Sequence, residues 1–171
     1  MYRLVDEQAA FLVIDKAPGT HVHRDGGATG LMDRLRDDTG CDTLHLVHRL
    51  DAMTSGLLLV ARSADAAAAL GQALAARQVE KFYLALSDRS PRKKQGWVIG
   101  DMERSRRASW KLLPTRQDPA VTQFFSAAAG DGRRLFLLRP RTGRTHQLRV
   151  ALKSLGAPIW GDPLYHPQEP G

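Results

Sequence analysis

Val47-His48-Arg49-Leu50-Asp51-Ala52-Met53-Thr54-Ser55-Gly56-Leu57-Leu58-Leu59 is the stretch on which the reading of this chain turns. A strand-like run over 43–47 leads into a charged loop holding Arg49, Asp51 and Thr54, and an apolar run over 56–61 leads out of it. A carboxylate on a short loop between two strands is held rigidly and can be presented to a cleft. Arg49 stands two residues from Asp51, so on an extended chain both side chains point to the same side. A guanidinium beside a carboxylate favours the charged acid, which is the form a nucleophile needs. Thr54-Ser55-Gly56 adds hydroxyls and a pliable backbone to close the loop. An isolated Arg-x-Asp is usually a surface pair in a turn, so the pattern gains weight only from the rest of the chain.

Outward from this loop, Ala10 to Asp15 reads as a strand and Lys16-Ala17-Pro18-Gly19 as a turn. Leu31 and Leu35 are one helical turn apart in a short amphipathic helix that should end near Gly40. Ser63 is placed to cap an alanine-rich helix over Ala64–Gln78. Val79 to Leu86 alternates Phe82, Leu84 and Leu86 with Lys81, Tyr83 and Ala85, the pattern of a half-buried strand. Arg89 to Gly100 is rich in Lys and Arg, contains Pro91 and Gly96, and reads as a loop. Val121–Ala127 and Arg133–Arg139 are strand candidates joined by a Gly130-Asp131-Gly132 turn. Thr145 is placed to cap a helix that turns Leu148, Leu152 and Leu155 inward and ends at Gly156. The succession predicts an α+β fold: a mixed, largely antiparallel sheet with a few flanking helices.

A chain of 171 residues is expected to form one domain, spanning 1–171. With 43% hydrophobic and 25% charged residues it is an ordinary globular composition. Its longest apolar run, 56–61, falls far short of the ~20 residues a membrane span needs. Asp6 and Glu7 stand where a secretory signal would be apolar, and the single cysteine, Cys41, fits a reducing cytoplasm. His21, His23, His45 and His48 lack a third ligand at metal-site spacing, so no metal is expected. Residues 89–116 hold nine basic residues and two acids, residues 133–153 hold seven and none, and the remainder of the chain sums to −7. Two basic segments on an acidic body are either a polyanion-binding face or two solvated arginine-rich surfaces. Trp97 and Trp110 lie in the first of them, where each could stack on an unpaired base or anchor a short hairpin.

Four ordered motifs choose between these readings. The loop segment resembles the H-R-L-D-x-x-T-S-G-L-L-L signature of the RluA branch of pseudouridine synthases. Lys81-Phe82-Tyr83-Leu84-Ala85 looks like that family's K-x-Y-x-A. Arg141-Thr142-Gly143-Arg144-Thr145-His146-Gln147-Leu148-Arg149 is similar to its R-T-G-R-T-H-Q-[IL]-R, and 155–165 to the L-G-x-P-I-x-G-D-x-x-Y that follows. The opening Leu12–Gly19 resembles its first strand and K-P-x-G turn.

The resemblance implies isomerisation of uridine in ribosomal or transfer RNA, with no cofactor, by a cytoplasmic enzyme expected to act as a monomer. It marks Asp51 as the catalytic aspartate, attacking C1′ or C6, Tyr83 as the tyrosine that stacks on the target base, and Arg144 as the arginine paired with the carboxylate. Leu148 takes the aliphatic wall of the pocket, Arg49 the place vacated by the flipped base, and Thr54, His146 and Arg149 join them as substrate-binding residues. For Arg144 a phosphate-binding role is the alternative, and for the whole chain a catalytically inactive RNA-binding module of the same fold. A nucleoside hydrolase would need a second acid, and the motifs hold none. Two departures stand out: Val150-Ala151-Leu152 replaces the histidine usual after Q-[IL]-R, and Met53 replaces a polar residue. No S4-type RNA-binding domain is expected before the catalytic part. Beyond His166, relatives carry a further Leu-His-Ala-type strand, so the chain is either a compact member or lacks that piece.

Overall fold

The computed structural model describes residues 1–22 and 29–167, so His23 lies outside the described residues. The chain divides into two compact units, Met1–Val79 and Glu80–Gly171. No helix among the described residues is long and apolar enough to cross a membrane.

The first unit is a four-stranded antiparallel sheet of β1 (Tyr2–Glu7), β2 (Phe11–Lys16), β3 (His45–Leu46) and β4 (Gly56–Ala61), in the order β1-β2-β4-β3. Strand β2 alternates strictly, burying Leu12, Ile14 and Lys16 on one face. Leu58 and Val60 of β4 join them, and helix α1 (Leu31–Thr39) adds Leu31, Met32 and Leu35. The Asp33 carboxylate accepts the Gly30 N–H at the start of α1, and Gly40 ends it in the left-handed conformation (φ 62°) where a Cβ would be strained. Helix α2 (Ala64–Ala75) buries no residue fully but half-buries Ala66, Ala67, Leu70, Ala73 and Leu74, and its start is capped by the Ser63 hydroxyl, which accepts the Ala66 N–H at 3.2 Å. It stops short of the expected Gln78 because Arg77 turns to φ 58°.

The second unit orders β5 (Tyr83–Ser87), β10 (Arg134–Pro140), β9 (Ala120–Ala128) and β6 (Gln95–Gly100) into another antiparallel sheet, β5-β10-β9-β6. A hairpin of β7 (Met102–Arg104) and β8 (Trp110–Leu112) stands beside it. Helix α3 (Gln147–Ser154) covers one face, closing a core of Val98, Phe124, Phe136, Leu138, Ala151, Leu152 and Ala157.

The α+β, largely antiparallel expectation holds, and so do the strands over 56–61 and 121–139. Besides the shorter α2 and a strand over 43–47 that shrinks to His45–Leu46, three readings change. The segment read as a loop contains β6, where a Cβ on Gly96 (φ 150°) would lie 3.6 Å from the Phe124 ring, so the glycine that suggested a loop serves a strand. Helix α3 is capped by His146 in the left-handed conformation (φ 57°), not by Thr145. Strand β5 starts at Tyr83 and turns Leu84 and Leu86 outward, while Tyr83, Ala85 and Ser87 face the core.

Candidate active site

Within the first unit, Asp51 opens a tight turn closed by the Thr54 N–H on the Asp51 carbonyl at 3.0 Å. Leu50 behind it is buried, which fixes the turn to the core, while Asp51 and Thr54 are half-buried and Arg49 is exposed. His48 ties the loop to β4, its Nε2 accepting the Leu59 N–H at 3.2 Å. On the other side, the Lys16 ammonium donates to the Ala52 carbonyl at 2.9 Å, and Gly19 N–H shares that carbonyl at 2.9 Å. Burial lowers the pKa of Lys16 below the ordinary lysine value, and the Asp51 carboxylate opposes that shift. The cations expected beside Asp51 are Arg49 from the spacing and Arg144 from the resemblance, and Lys16 is one that sequence reading misses. Its signal is a lysine at the third inward position after Leu12 and Ile14, where an aliphatic residue would continue the pattern.

Within the second unit, Tyr83 and Leu148 are both half-buried and pack against the same apolar cluster, Tyr83 from β5 and Leu148 from α3. The Arg141–Arg149 segment is fastened by Gln147. Its buried amide oxygen accepts the Thr142 hydroxyl at 2.8 Å and the Arg144 N–H at 2.9 Å. Its nitrogen donates to the Val121 carbonyl and the Thr122 hydroxyl oxygen on β9. The Arg144 side chain pairs with Asp118, which lies in the loop before β9. Asp101 accepts the Gln117 and Asp118 N–H groups there, bonds that hold its carboxyl below the usual carboxylate range with help from Arg144.

His146 and Arg149 meet the segment after α3. The Tyr165 hydroxyl accepts the Trp110 N–H at 2.8 Å and lies 2.9 Å from His146 Nδ1. This makes Trp110 part of a hairpin anchor, while Trp97 is half exposed on β6. Arg149 is bidentate to the buried Asp162, at 2.7 and 2.9 Å, and stacks over the Tyr165 ring at 4.9 Å. Burial works against the Asp162 charge, but Arg149 and the Leu164 and Tyr165 N–H groups outweigh it and hold the acid below its usual range. Gln147, Tyr165, Asp162 and Asp118 are thus residues that sequence reasoning did not single out. The first could have been found as a polar residue at an inward position in the first turn of a helix.

Asp51 stands on its turn in the first unit, and Tyr83 and Arg144 stand in the second, Tyr83 packed against the apolar cluster and Arg144 just before α3. Residues 10–154 match the family model for RNA pseudouridylate synthase, and the chain belongs to that family, whose members are isomerases. It is 46% identical over 162 residues to an uncharacterized RNA pseudouridine synthase of Haemophilus influenzae, covering 95% of this chain and 72% of that one. It is 40% identical over 125 residues to ribosomal large subunit pseudouridine synthase C of Rickettsia bellii, covering 70% of this chain and 41% of that one. The solved structure of human RNA pseudouridylate synthase domain containing 1 superimposes with a TM-score of 0.80 at 28% identity, over 97% of this chain and 70% of that one. Against these relatives the chain spans between two fifths and three quarters of their length.

Proposed function

We propose that this chain converts uridine to pseudouridine in structured RNA, with Asp51 as the attacking carboxylate. The supporting observation is the Asp51 turn itself, pinned by buried Leu50, by His48 and by Lys16, in a chain of this family. The C1′–N1 bond breaks, the uracil turns, and C1′ bonds to C5. The C5 proton leaves to solvent and N1 takes one up, so the change is redox-neutral and needs no co-reactant. Asp51 attacks C1′ or C6; both routes need an ionised, fixed carboxylate.

A uracil inside a helix hides these atoms, so the base is flipped out at a cost of about a few kcal/mol and restacked on an aromatic ring. Tyr83 offers that ring, Leu148 the wall beside it, and Arg144 a cation at the start of α3. Arg49 fills the space the base leaves, and Thr54, His146 and Arg149 take the substrate-binding roles that the family resemblance gives them. RNA of the large ribosomal subunit is the first substrate to test, since relatives from Rickettsia bellii and Xanthomonas campestris carry that name. The expected localisation is cytoplasmic.

The experiment is tritium release from RNA labelled at uridine C5, since forming the C–C bond must expel that hydrogen. Wild-type protein releases label without added metal or nucleotide. Asp51→Asn keeps the shape of the side chain and abolishes release, while RNA affinity stays within about threefold because the remaining interactions persist. Near-normal turnover in Asp51→Asn overturns the assignment.

A further inference from the structure

The segment 133–153 holds seven basic residues and no acid, so the charges of its arginines are answered from elsewhere in the chain. Glu80 answers Arg139 and, at 4.0 Å, Arg141; Asp162 answers Arg149; Asp118 answers Arg144. These pairs differ in how firmly they hold. Arg149 and Asp162 are largely buried and joined by two bonds, so parting them strands a charge where water barely reaches. The Arg144 side chain is 42% exposed and that of Asp118 79%, the most exposed acid of the three, so water or another anion replaces either partner at little cost.

The backbone on both sides is nevertheless built to hold these two residues in place. Asp101 accepts the Gln117 N–H at 3.0 Å and the Asp118 N–H at 2.8 Å. Its own N–H donates to the Thr115 carbonyl, and its carbonyl accepts the Leu113 N–H. Gln147 accepts the Arg144 N–H, and Arg141, Thr142 and Gln147 all bond to the backbone of Val121, three residues on from Asp118. One hydrogen-bonded frame therefore sets both ends of a contact that adds little to stability.

We propose that Asp118 is the resting counter-ion of Arg144: its carboxylate holds the guanidinium in the RNA-free protein and yields it to a phosphate of the RNA backbone when substrate binds. A guanidinium takes phosphate through the same planar fork of N–H donors that it offers a carboxylate, so one anion replaces the other without rebuilding the frame. The released carboxylate is left in water, as its exposure allows. The inference rests on the reading of this chain as an enzyme acting on RNA, and it is tested by binding rather than by turnover.

Asp118→Asn keeps the backbone N–H bonded to Asp101 and removes the competing charge. The probe is an unmodified stem-loop transcript of large-subunit ribosomal RNA, with Kd measured at one fixed salt concentration. Kd falls about threefold, within the range of an exposed ion pair. In an Arg144→Gln background the same substitution moves Kd by less than about 1.5-fold, because the partner it frees is gone. An equal tightening in both backgrounds overturns the proposal, since Asp118 would then act only through its general field. An unchanged or weaker Kd in Asp118→Asn overturns it as well. The exchange itself is read at Arg144 Nε by NMR: wild type and Asp118→Asn differ in the free protein and coincide when RNA is bound. A difference that persists in the complex means that Asp118 keeps its partner, and the proposal falls. If wild-type protein binds the transcript but no RNA yields tritium, it is the proposed function that fails, and the two backgrounds still decide the exchange.

Discussion

Replacing Asp162 by asparagine isolates one buried charge. The Asp162 side chain is 4% exposed and that of Arg149 18%. Oδ1 accepts from Arg149 Nη2 at 2.9 Å and from the N–H groups of Leu164 at 2.9 Å and Tyr165 at 3.1 Å, while Oδ2 accepts from Arg149 Nε at 2.7 Å. Asparagine can keep the three bonds at Oδ1, but its amide nitrogen then faces Arg149 Nε–H, donor against donor. Breaking a buried ion pair from one side costs about 3–5 kcal/mol, and the residual exposure of Arg149 selects the lower end, about 3 kcal/mol. For a chain of this size Tm moves about 2–4 °C per kcal/mol, so the variant melts about 6–12 °C below wild type at pH 7. Differential scanning calorimetry reads the shift, and a double-mutant cycle with Arg149→Met assigns it to the pair. The acid is held below its usual range, so its contribution is complete above the unfolded value near 4 and is lost as the pH falls through the lower folded value. The gap between wild type and Asp162→Asn therefore closes on acidification below about pH 4. A shift under about 2 °C at pH 7, or a gap that widens in acid, refutes the reasoning.

Gly100→Ala places a Cβ against the Leu113 carbonyl oxygen and the Leu112 side chain, at a buried residue whose flanks are fixed by the Asp101–Thr115 and Leu113–Asp101 backbone bonds. A loss of about 1–3 kcal/mol in urea unfolding is expected, and wild-type stability would show that the β6–β8 connection yields. If the exposed Arg92, Lys93 and Lys94 before β6 touch phosphate, the log–log salt dependence of RNA binding flattens by about 0.7 for each phosphate released when all three become glutamine. Tm should stay within about 2 °C, as expected for substitutions of exposed loop residues, and an unaltered slope would make this loop a solvated surface.

The first unit was legible where a pattern had one solution. Residues 56–61 form an uninterrupted apolar run, and α1 has an inward stripe with a glycine stop, so both elements stand where the sequence puts them. Strand β1 was hidden because its side chains are nearly all exposed and Arg3, Asp6 and Glu7 are charged, and its pairing comes from β2 rather than from its own apolar pattern. The site was legible as motifs but not as a set of interactions. Asp51, Tyr83 and Arg144 could be named from their segments, whereas Lys16 and Gln147 act through backbone carbonyls and amides that only folding brings near them.

Strand β5 shows why one face of a sheet can be misread. Phe82, Leu84 and Leu86 are the larger apolar residues, and alternation alone points them inward. In the sheet, β10 pairs Leu137 with Leu84 and Leu135 with Leu86, and all four are exposed, as is Phe125 beyond Leu137 on β9. Both faces of this sheet therefore carry apolar residues, and period two cannot say which is the core. The choice is made by α3, which covers the face bearing Phe124, Phe136 and Leu138. Once Phe136 and Leu138 face α3, register sends Ala85 and Tyr83 to the same side. That inversion is what puts a tyrosine, rather than a phenylalanine or a leucine, against the cluster on which Leu148 also packs. The stacking proposed above for a flipped pyrimidine uses this ring, apolar on its face and polar at its hydroxyl.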